Sequence, residues 1–159
     1  MQTKYDILIQ NINEIWEIPK YSKNQINKAG KTLSLPDISS KEKNEALFVL
    51  NNWRASHGYP LQEIYNILKE INPDAIVAQR LKRLDSIIGK LKRFENMSLY
   101  RMQDLGGCRV IVKDIKELYQ AVEKFKKHIS LNTQFELKRE DDYIKKPKKI
   151  RIQKLSSCI

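Results

Sequence analysis

The chain has 159 residues, with 30 lysines and arginines against 19 aspartates and glutamates, and a formal net charge of +11. This length suits one domain, or one domain with a helical extension. The charge indicates a polyanionic partner, for which nucleotides, RNA and acidic lipid all qualify; the alternative is a merely solvated lysine-rich surface. No apolar run is long enough to span a membrane, and the N-terminus lacks a signal-peptide core. Cys108 and Cys158 show no metal-ligand spacing, so we expect a cytoplasmic protein without a disulfide framework.

The first 72 residues are expected to form an all-helical region. Apolar residues at three-and-four spacing predict a first helix over residues 5–16. Patterns of the S-x-x-[Q/E] type begin at Ser22 and Ser39, and such capping boxes predict the start of the second and third helices. Gly58 is expected to cap the end of the third helix, and Asn72-Pro73 to stop the fourth.

After Pro73 the pattern predicts strands as well as helices. We favour a strand up to about Arg83, although periodicity alone also allows a helix there. A helix over residues 86–94 should follow, with Asp85 or Ser86 as its N-cap. A branched apolar run predicts a buried strand over residues 108–112, and Asp114 is expected to cap the next helix. Apolar residues between 135 and 144 suggest one or two further strands.

Cations are concentrated at the start of the stretch from residue 80 to residue 112. Ser86 and Lys90 lie one turn apart on one face of the predicted helix, and Lys82 can point to the same place. A helix N-terminus at Ser86 would add backbone N–H donors for phosphate, and the Arg80 guanidinium suits bidentate phosphate contact. The alternative is a solvated basic helix whose lysine stems lie along its apolar surface.

A single carboxylate, Asp104, precedes two glycines and an apolar run in the same stretch. Cations that bind phosphates, combined with an acid that holds a bridging metal, are what magnesium-dependent phosphoryl transfer requires. The alternative for Asp104 is a turn residue that caps backbone N–H groups. These residues alone leave both interpretations open.

Taken together, the motifs resemble the RelA/SpoT-type alarmone synthetase domain. The pattern R-x-K-x-x-x-S-I-x-x-K stands at residues 80–90, and D-x-x-x-x-R-V stands at residues 104–110. D-D-Y-I-K-K-P-K at residues 141–148 resembles the segment that leads to the guanine-binding loop. S-K-N-Q-I-N-K-A-G-K at residues 22–31 and R-x-x-H-x-Y-P-L at residues 54–61 resemble small, single-domain and toxin-like members. The resemblance spans residues 20–149.

The resemblance implies an α+β fold. Residues 1–72 would form the helical N-terminal region, and residues 73–149 would form the front part of a nucleotidyltransferase-like mixed sheet flanked by helices. It further implies a GTP diphosphokinase that moves pyrophosphate from ATP to the 3′-hydroxyl of GDP or GTP in alarmone metabolism. Asp104 would be the catalytic residue and the Mg²⁺ ligand. The implied ATP-phosphate ligands are Arg80, Lys82, Ser86, Lys90 and Arg109.

Two other functions stay open at this point. Toxin-like members of the family transfer pyrophosphate to the 3′ end of tRNA, and the charge of +11 would suit RNA. The chain could also be a non-catalytic remnant that binds a nucleotide or RNA.

Residues 150–159 depart from the family pattern. After P-K-K the family has a G-Y-x-S-x-H loop, whose tyrosine stacks on guanine, and later a strand glutamate that completes metal binding; here the sequence reads I-R-I-Q-K-L-S-S-C-I. With a suitable choice among degenerate codons, a back-translation read from its second base gives S-G-Y-R-S-F-H-L-V, which contains the missing loop. We therefore expect a one-base slip near Lys149, a truncated domain with an out-of-family tail, and lost or reduced turnover.

Overall fold

The computed structural model describes residues 16–131 and 135–147. Apart from Trp16, the predicted helix over residues 5–16 lies outside the described residues, as does the tail. The described chain forms an α+β fold, as expected, and its sheet consists of two strands that pair antiparallel. The helices are α1 (Lys23–Ser34), α2 (Ser40–Ala55), α3 (Gly58–Ile71), α4 (Leu84–Arg93) and α5 (Ile115–Leu131), the strands are β1 (Ile76–Leu81) and β2 (Gly106–Ile111), and a short 3₁₀ helix covers Leu99–Arg101.

Capping boxes start α1 and α2, as predicted. The Ser22 hydroxyl accepts a hydrogen bond from the Gln25 N–H at 3.4 Å, and the Gln25 side chain accepts one from the Ser22 N–H at 2.8 Å. Ser39 and Glu42 make the same reciprocal pair at 3.2 and 3.1 Å. Each box satisfies N–H groups that have no partner inside the helix.

The prediction that Gly58 caps the end of α2 is wrong. Gly58 is the first residue of α3, and only two residues separate the helices. The carbonyl of Trp53 near the end of α2 instead accepts a hydrogen bond from the Ser56 hydroxyl at 2.9 Å, and Nδ1 of His57 lies 2.7 Å from the same oxygen. Because side chains satisfy this carbonyl, no left-handed glycine is required. The predicted stop at Asn72 is confirmed.

The predicted strand before residue 83 and the helix after it are confirmed, but the predicted N-cap is wrong. Helix α4 begins at Leu84, and Arg83 occupies the N-cap position without a side-chain cap. Asp85 and Ser86 therefore lie within the first turn. There the carboxylate of Asp85 is favourable to the helix dipole without accepting a capping hydrogen bond.

Strand β2 is not fully buried, contrary to expectation. Its residues alternate between half-buried and exposed, because α3 packs on one face of the sheet and the other face is open. Ile76 pairs with Ile111 at one end of the ladder, and Leu81 pairs with Gly106 at the other. Asp114 caps α5 as predicted, since its Oδ1 accepts from the Glu117 N–H at 2.7 Å.

The strands predicted between residues 135 and 144 are absent from the described segment 135–147. The carboxylate of Asp142 accepts hydrogen bonds from the N–H groups of Ile144 and Lys145 at 3.0 and 2.9 Å. Asp142 also accepts from the Tyr119 hydroxyl at 3.1 Å. A side chain that bonds its own following backbone in this way favours a turn over a strand.

The main core joins the helical region to the elements that flank the sheet. It is formed by side chains from α1, α2, α4 and the segment around the 3₁₀ helix, and its buried members are Ile26, Ala29, Leu33, Ala46, Leu50, Ile87, Leu91, Leu99, Met102 and Leu105. Within the described ranges, no helix combines the length and apolar character needed to cross a bilayer.

Close packing between α1 and the 3₁₀ helix generates a stability prediction. A Cβ atom on Gly30 would lie 2.7 Å from the Cβ of Leu99, whereas one on Gly89 in α4 would meet no atom within 4 Å. Gly30→Ala should lower the free energy of unfolding by about 1–2 kcal/mol, because overpacking outweighs the gain in helix propensity. Gly89→Ala, the control, should raise it by up to about 1 kcal/mol. Urea unfolding measures both, and a stabilised Gly30→Ala variant would contradict the close approach.

Candidate active site

Two lysines from different elements converge on one carboxylate. Nζ of Lys82 lies 3.0 Å from Oδ2 of Asp104, and Nζ of Lys90 lies 2.9 Å from Oδ1. The Asp104 side chain is 48% exposed, and those of Lys82 and Lys90 are 20% and 25% exposed. We call these three residues the cation–acid cluster. Its charges are paired with each other yet open to solvent on the carboxylate side.

The fold determines where the backbone of each lysine lies. Lys82 directly follows β1, and its N–H extends the ladder by donating to the Leu105 carbonyl at 2.7 Å. This bond places Lys82 beside the residue next to Asp104. On α4, Ile87 and Leu91 are buried in the main core, which orients the helix so that Lys90 faces the carboxylate. The sequence pattern alone had predicted this helical face.

The lysines hold Asp104 in its ionised form. Burial by itself raises the pKa of this carboxyl, but the hydrogen bonds and positive charges of Lys90 and Lys82 together outweigh it, so the pKa is lowered below its ordinary value. Asp104 therefore carries a full negative charge at neutral pH. An ionised, half-exposed oxygen donor is suited to a divalent cation.

The remaining predicted phosphate ligands lie on the surface around the cluster. Ser86 is exposed one turn before Lys90 on the same helix. Arg80 pairs with Gly107, and Arg109 pairs with Ala78. Both arginines thus share the open face of the sheet, as diagonal neighbours. Hydrogen bonds join Lys82 and Lys90 to Asp104, whereas Arg80, Arg109 and Ser86 form no hydrogen bond or ion pair with these three side chains in the described part of the chain.

One residue of this region was not assigned a role from the sequence. Nε of Arg54, in the last turn of α2, donates to the backbone carbonyl of Lys82 at 2.6 Å. Arg54 belongs to the motif at residues 54–61, but Arg54 and Lys82 are 28 positions apart. No local spacing rule connects residues at that separation, so only the tertiary structure shows the contact.

The carboxylate of Asp104 could hold Mg²⁺ only together with ligands from outside the protein. Among residues 16–131 and 135–147, no three His, Cys, Asp or Glu side chains lie together as a metal cage. Mg²⁺ commonly takes one or two carboxylates and completes its shell with water and substrate phosphates. Asp104 can supply such a carboxylate, with cations beside it for the phosphates.

His57 and Cys108, whose side chains can be reactive in other proteins, pack against neighbouring residues here. His57 packs edge-on against Trp53, with ring centroids 4.7 Å apart. Burial raises the pKa of the Cys108 thiol, and its Sγ lies 3.7 Å from the Leu61 carbonyl. A thiol with a raised pKa is a poor nucleophile at neutral pH, which agrees with a packing role for Cys108.

The sequence of this region was compared with known proteins. A family model described as a region found in RelA / SpoT proteins matches residues 79–159, slightly more than half of the chain. The chain belongs to the RelA/SpoT family. The family region begins in β1 and contains the whole cation–acid cluster together with Arg80, Ser86 and Arg109. A comparison with curated proteins finds no match. The domain boundaries expected at residues 72 and 149 stay predictions.

The two ion pairs of the cation–acid cluster lead to a prediction about the pKa of Asp104. Lys90→Met should raise the pKa of Asp104 toward its ordinary value, because a hydrogen bond and a positive charge are lost. Since the folded-state pKa is lowered, the ion pairs add stability above the unfolded-state pKa of about 4, and this is lost as the pH falls through the folded-state value. NMR titration of the carboxyl carbon measures the shift.

Lys92→Met is the matched control for this titration. It removes the same charge from the same helix, but Lys92 is not a hydrogen-bond partner of Asp104. An Asp104 pKa that responds equally to both variants would show that only general charge, not the ion pair, sets its value.

Proposed function

We propose that the cation–acid cluster binds the phosphates of ATP together with Mg²⁺, for transfer of pyrophosphate to the 3′-hydroxyl of GDP or GTP. The observation that carries this proposal is the convergence of Lys82 and Lys90 on Asp104, at 3.0 and 2.9 Å. Membership of the RelA/SpoT family, which is alarmone-synthetase-like, supports the same reaction. In it the acceptor oxygen bonds to the β-phosphorus of ATP, and AMP leaves.

The residues of the cluster have separate tasks in this proposal. Each ammonium has three N–H donors and uses one on Asp104 in the described contacts, so it can also donate to a phosphate oxygen. Asp104 would hold Mg²⁺, which when bound neutralises charge that develops on the phosphates. Arg80 and Arg109 on the open face of the sheet, and Ser86 one turn before Lys90, would bind further phosphate oxygens.

We further propose that turnover is impaired in the chain as given. Residues 150–159 read I-R-I-Q-K-L-S-S-C-I where the family has its G-Y-x-S-x-H loop. Loss of a tyrosine that stacks on guanine removes about 1–3 kcal/mol of acceptor binding, by analogy with other base–aromatic stacks. A one-base slip near Lys149 would account for the replacement, because a back-translation of residues 150–159 with suitably chosen codons gives the loop when it is read from its second base.

A basic groove favours tRNA as a second candidate acceptor. The groove, of about 740 Å³, lies between α1 and the segment before Asp104, and its cationic lining residues are Lys23, Lys28, Lys31 and Arg101. None of the four forms an ion pair within the described ranges. Unpaired cations along a groove suit a phosphate backbone.

The reaction is tested by pyrophosphate transfer from labelled ATP with Mg²⁺ to GDP, GTP or bulk tRNA. The chain is assayed beside a version whose reading frame is restored near Lys149. We expect product from the restored version and little from this chain, because only the former has the stacking loop. Equal product from both would contradict the impairment, and no product from either would contradict the proposed reaction. Product with tRNA alone would favour the second acceptor.

Binding of ATP without metal gives an independent prediction. In Asp104→Asn the repulsion between carboxylate and phosphate is gone, and both lysines are released for the phosphates. In EDTA, ATP should therefore bind to the Asp104→Asn variant about fivefold more tightly than to the unaltered chain, since a like charge at ~4 Å costs about 1 kcal/mol in water. Added Mg²⁺ should no longer strengthen binding. Titration calorimetry measures both effects.

Asp85→Asn serves as the control for Asp104→Asn. Asp85 lies in the first turn of α4, the helix that carries Lys90, so its substitution changes the net charge by the same amount. It is not a hydrogen-bond partner of either lysine. If Asp85→Asn strengthened metal-free binding as much as Asp104→Asn, the effect would be general electrostatics and the role of Asp104 would be contradicted.

A further inference from the structure

The end of α2 forms a hydrogen bond with the turn that carries Lys82 of the cation–acid cluster. Nε of Arg54 donates to the Lys82 carbonyl at 2.6 Å, and this contact is partly buried. The backbone N–H of Lys82 donates to the Leu105 carbonyl at 2.7 Å. Both peptide groups of Lys82 are thus fixed, one by the helical region and one by the segment next to Asp104.

This turn is short. Only Lys82 and Arg83 separate the last residue of β1 from the first residue of α4. A displacement of the Lys82 peptide therefore moves the Lys82 ammonium directly, and it also moves the start of the helix that carries Lys90. Arg83 gives no side-chain cap to stabilise the helix start, so the Arg54 bond restrains this turn where a cap is lacking.

A second contact from the same turn of α2 reaches the other side of the cluster. The ring of Trp53 stacks on Tyr100, with centroids 5.2 Å apart and planes 17° apart. Tyr100 lies in the 3₁₀ helix, four residues before Asp104. Consecutive residues of α2 therefore contact both segments from which the cluster is built.

We propose that Arg54 is a positioning residue, which sets the geometry of Lys82 through the N–H of its Nε rather than through its charge. This inference rests on the proposed function, because the geometry matters for binding the ATP phosphates. The bond length and the double restraint of the Lys82 peptide carry it. Arg54 touches neither substrate nor metal in this proposal.

Two substitutions separate the donor from the charge. In Arg54→Gln the side-chain amide nitrogen stands the same number of bonds from the backbone as Nε, so the donor is kept and the charge is lost. In Arg54→Lys the charge is kept, but the nitrogen lies one bond further out. We expect Arg54→Gln to bind Mg²⁺-ATP within about twofold of the unaltered chain, and Arg54→Lys to bind it about tenfold more weakly. The reverse order would overturn the proposal.

A stability control and a nucleotide-free readout complete the experiment. Ile67→Val trims a buried side chain of α3 and should cost about 0.5–1.5 kcal/mol of stability; an equal loss of ATP affinity in this variant would make the Arg54 effect merely structural. In Arg54→Lys the Lys82 N–H should also exchange faster with solvent, because a displaced Lys82 peptide weakens its bond to the Leu105 carbonyl. Unaltered exchange of this N–H would overturn the positioning role even if the chain binds no ATP, an outcome that by itself would contradict only the proposed function.

Discussion

The buried core that α1, α2 and α4 share is the constraint on which the contact of Lys82 and Lys90 with the Asp104 carboxylate depends. Ion pairs this exposed contribute about 0–1 kcal/mol each, so they do not hold the fold together. The buried side chains of α1, α2 and α4 do, since each fully buried aliphatic residue contributes about 1.5–3 kcal/mol. The hydrophobic core therefore determines where the charges stand, and the charges are available for a ligand.

Most parts that are predictable from the sequence are set by short-range interactions, and the cation–acid cluster, whose contacts span 14 and 22 residues, is the exception. The capping boxes at Ser22 and Ser39 join residues three positions apart, and the Asp114 cap does the same for α5. Residues 76–81 were correctly favoured as a strand, although their periodicity was ambiguous. The cluster itself was predicted from the spacing of Lys82, Lys90 and Asp104 within family motifs, and the structure brings these three side chains into contact.

The errors arise where tertiary packing, or a side chain that bonds nearby backbone groups, decides between local alternatives. Helix α4 starts before the residues with good capping chemistry, immediately after Lys82 and Arg83. Strand β2 is apolar in sequence yet covered on one face only. The side chain of Asp142 turns a segment that otherwise has strand-like composition. The Arg54 bond crosses 28 residues, and no pattern within one element could reveal it.

The arrangement of the core also bears on how the chain folds. Leu91 follows Lys90 directly in the chain, Leu105 follows Asp104, and both leucines belong to the main core. Formation of the main core therefore brings Lys90 and Asp104 together. We therefore expect core formation and charge pairing to occur in one cooperative transition. During synthesis this event must wait until Leu105 leaves the ribosome, several seconds after the end of α2 at about 5–20 residues per second.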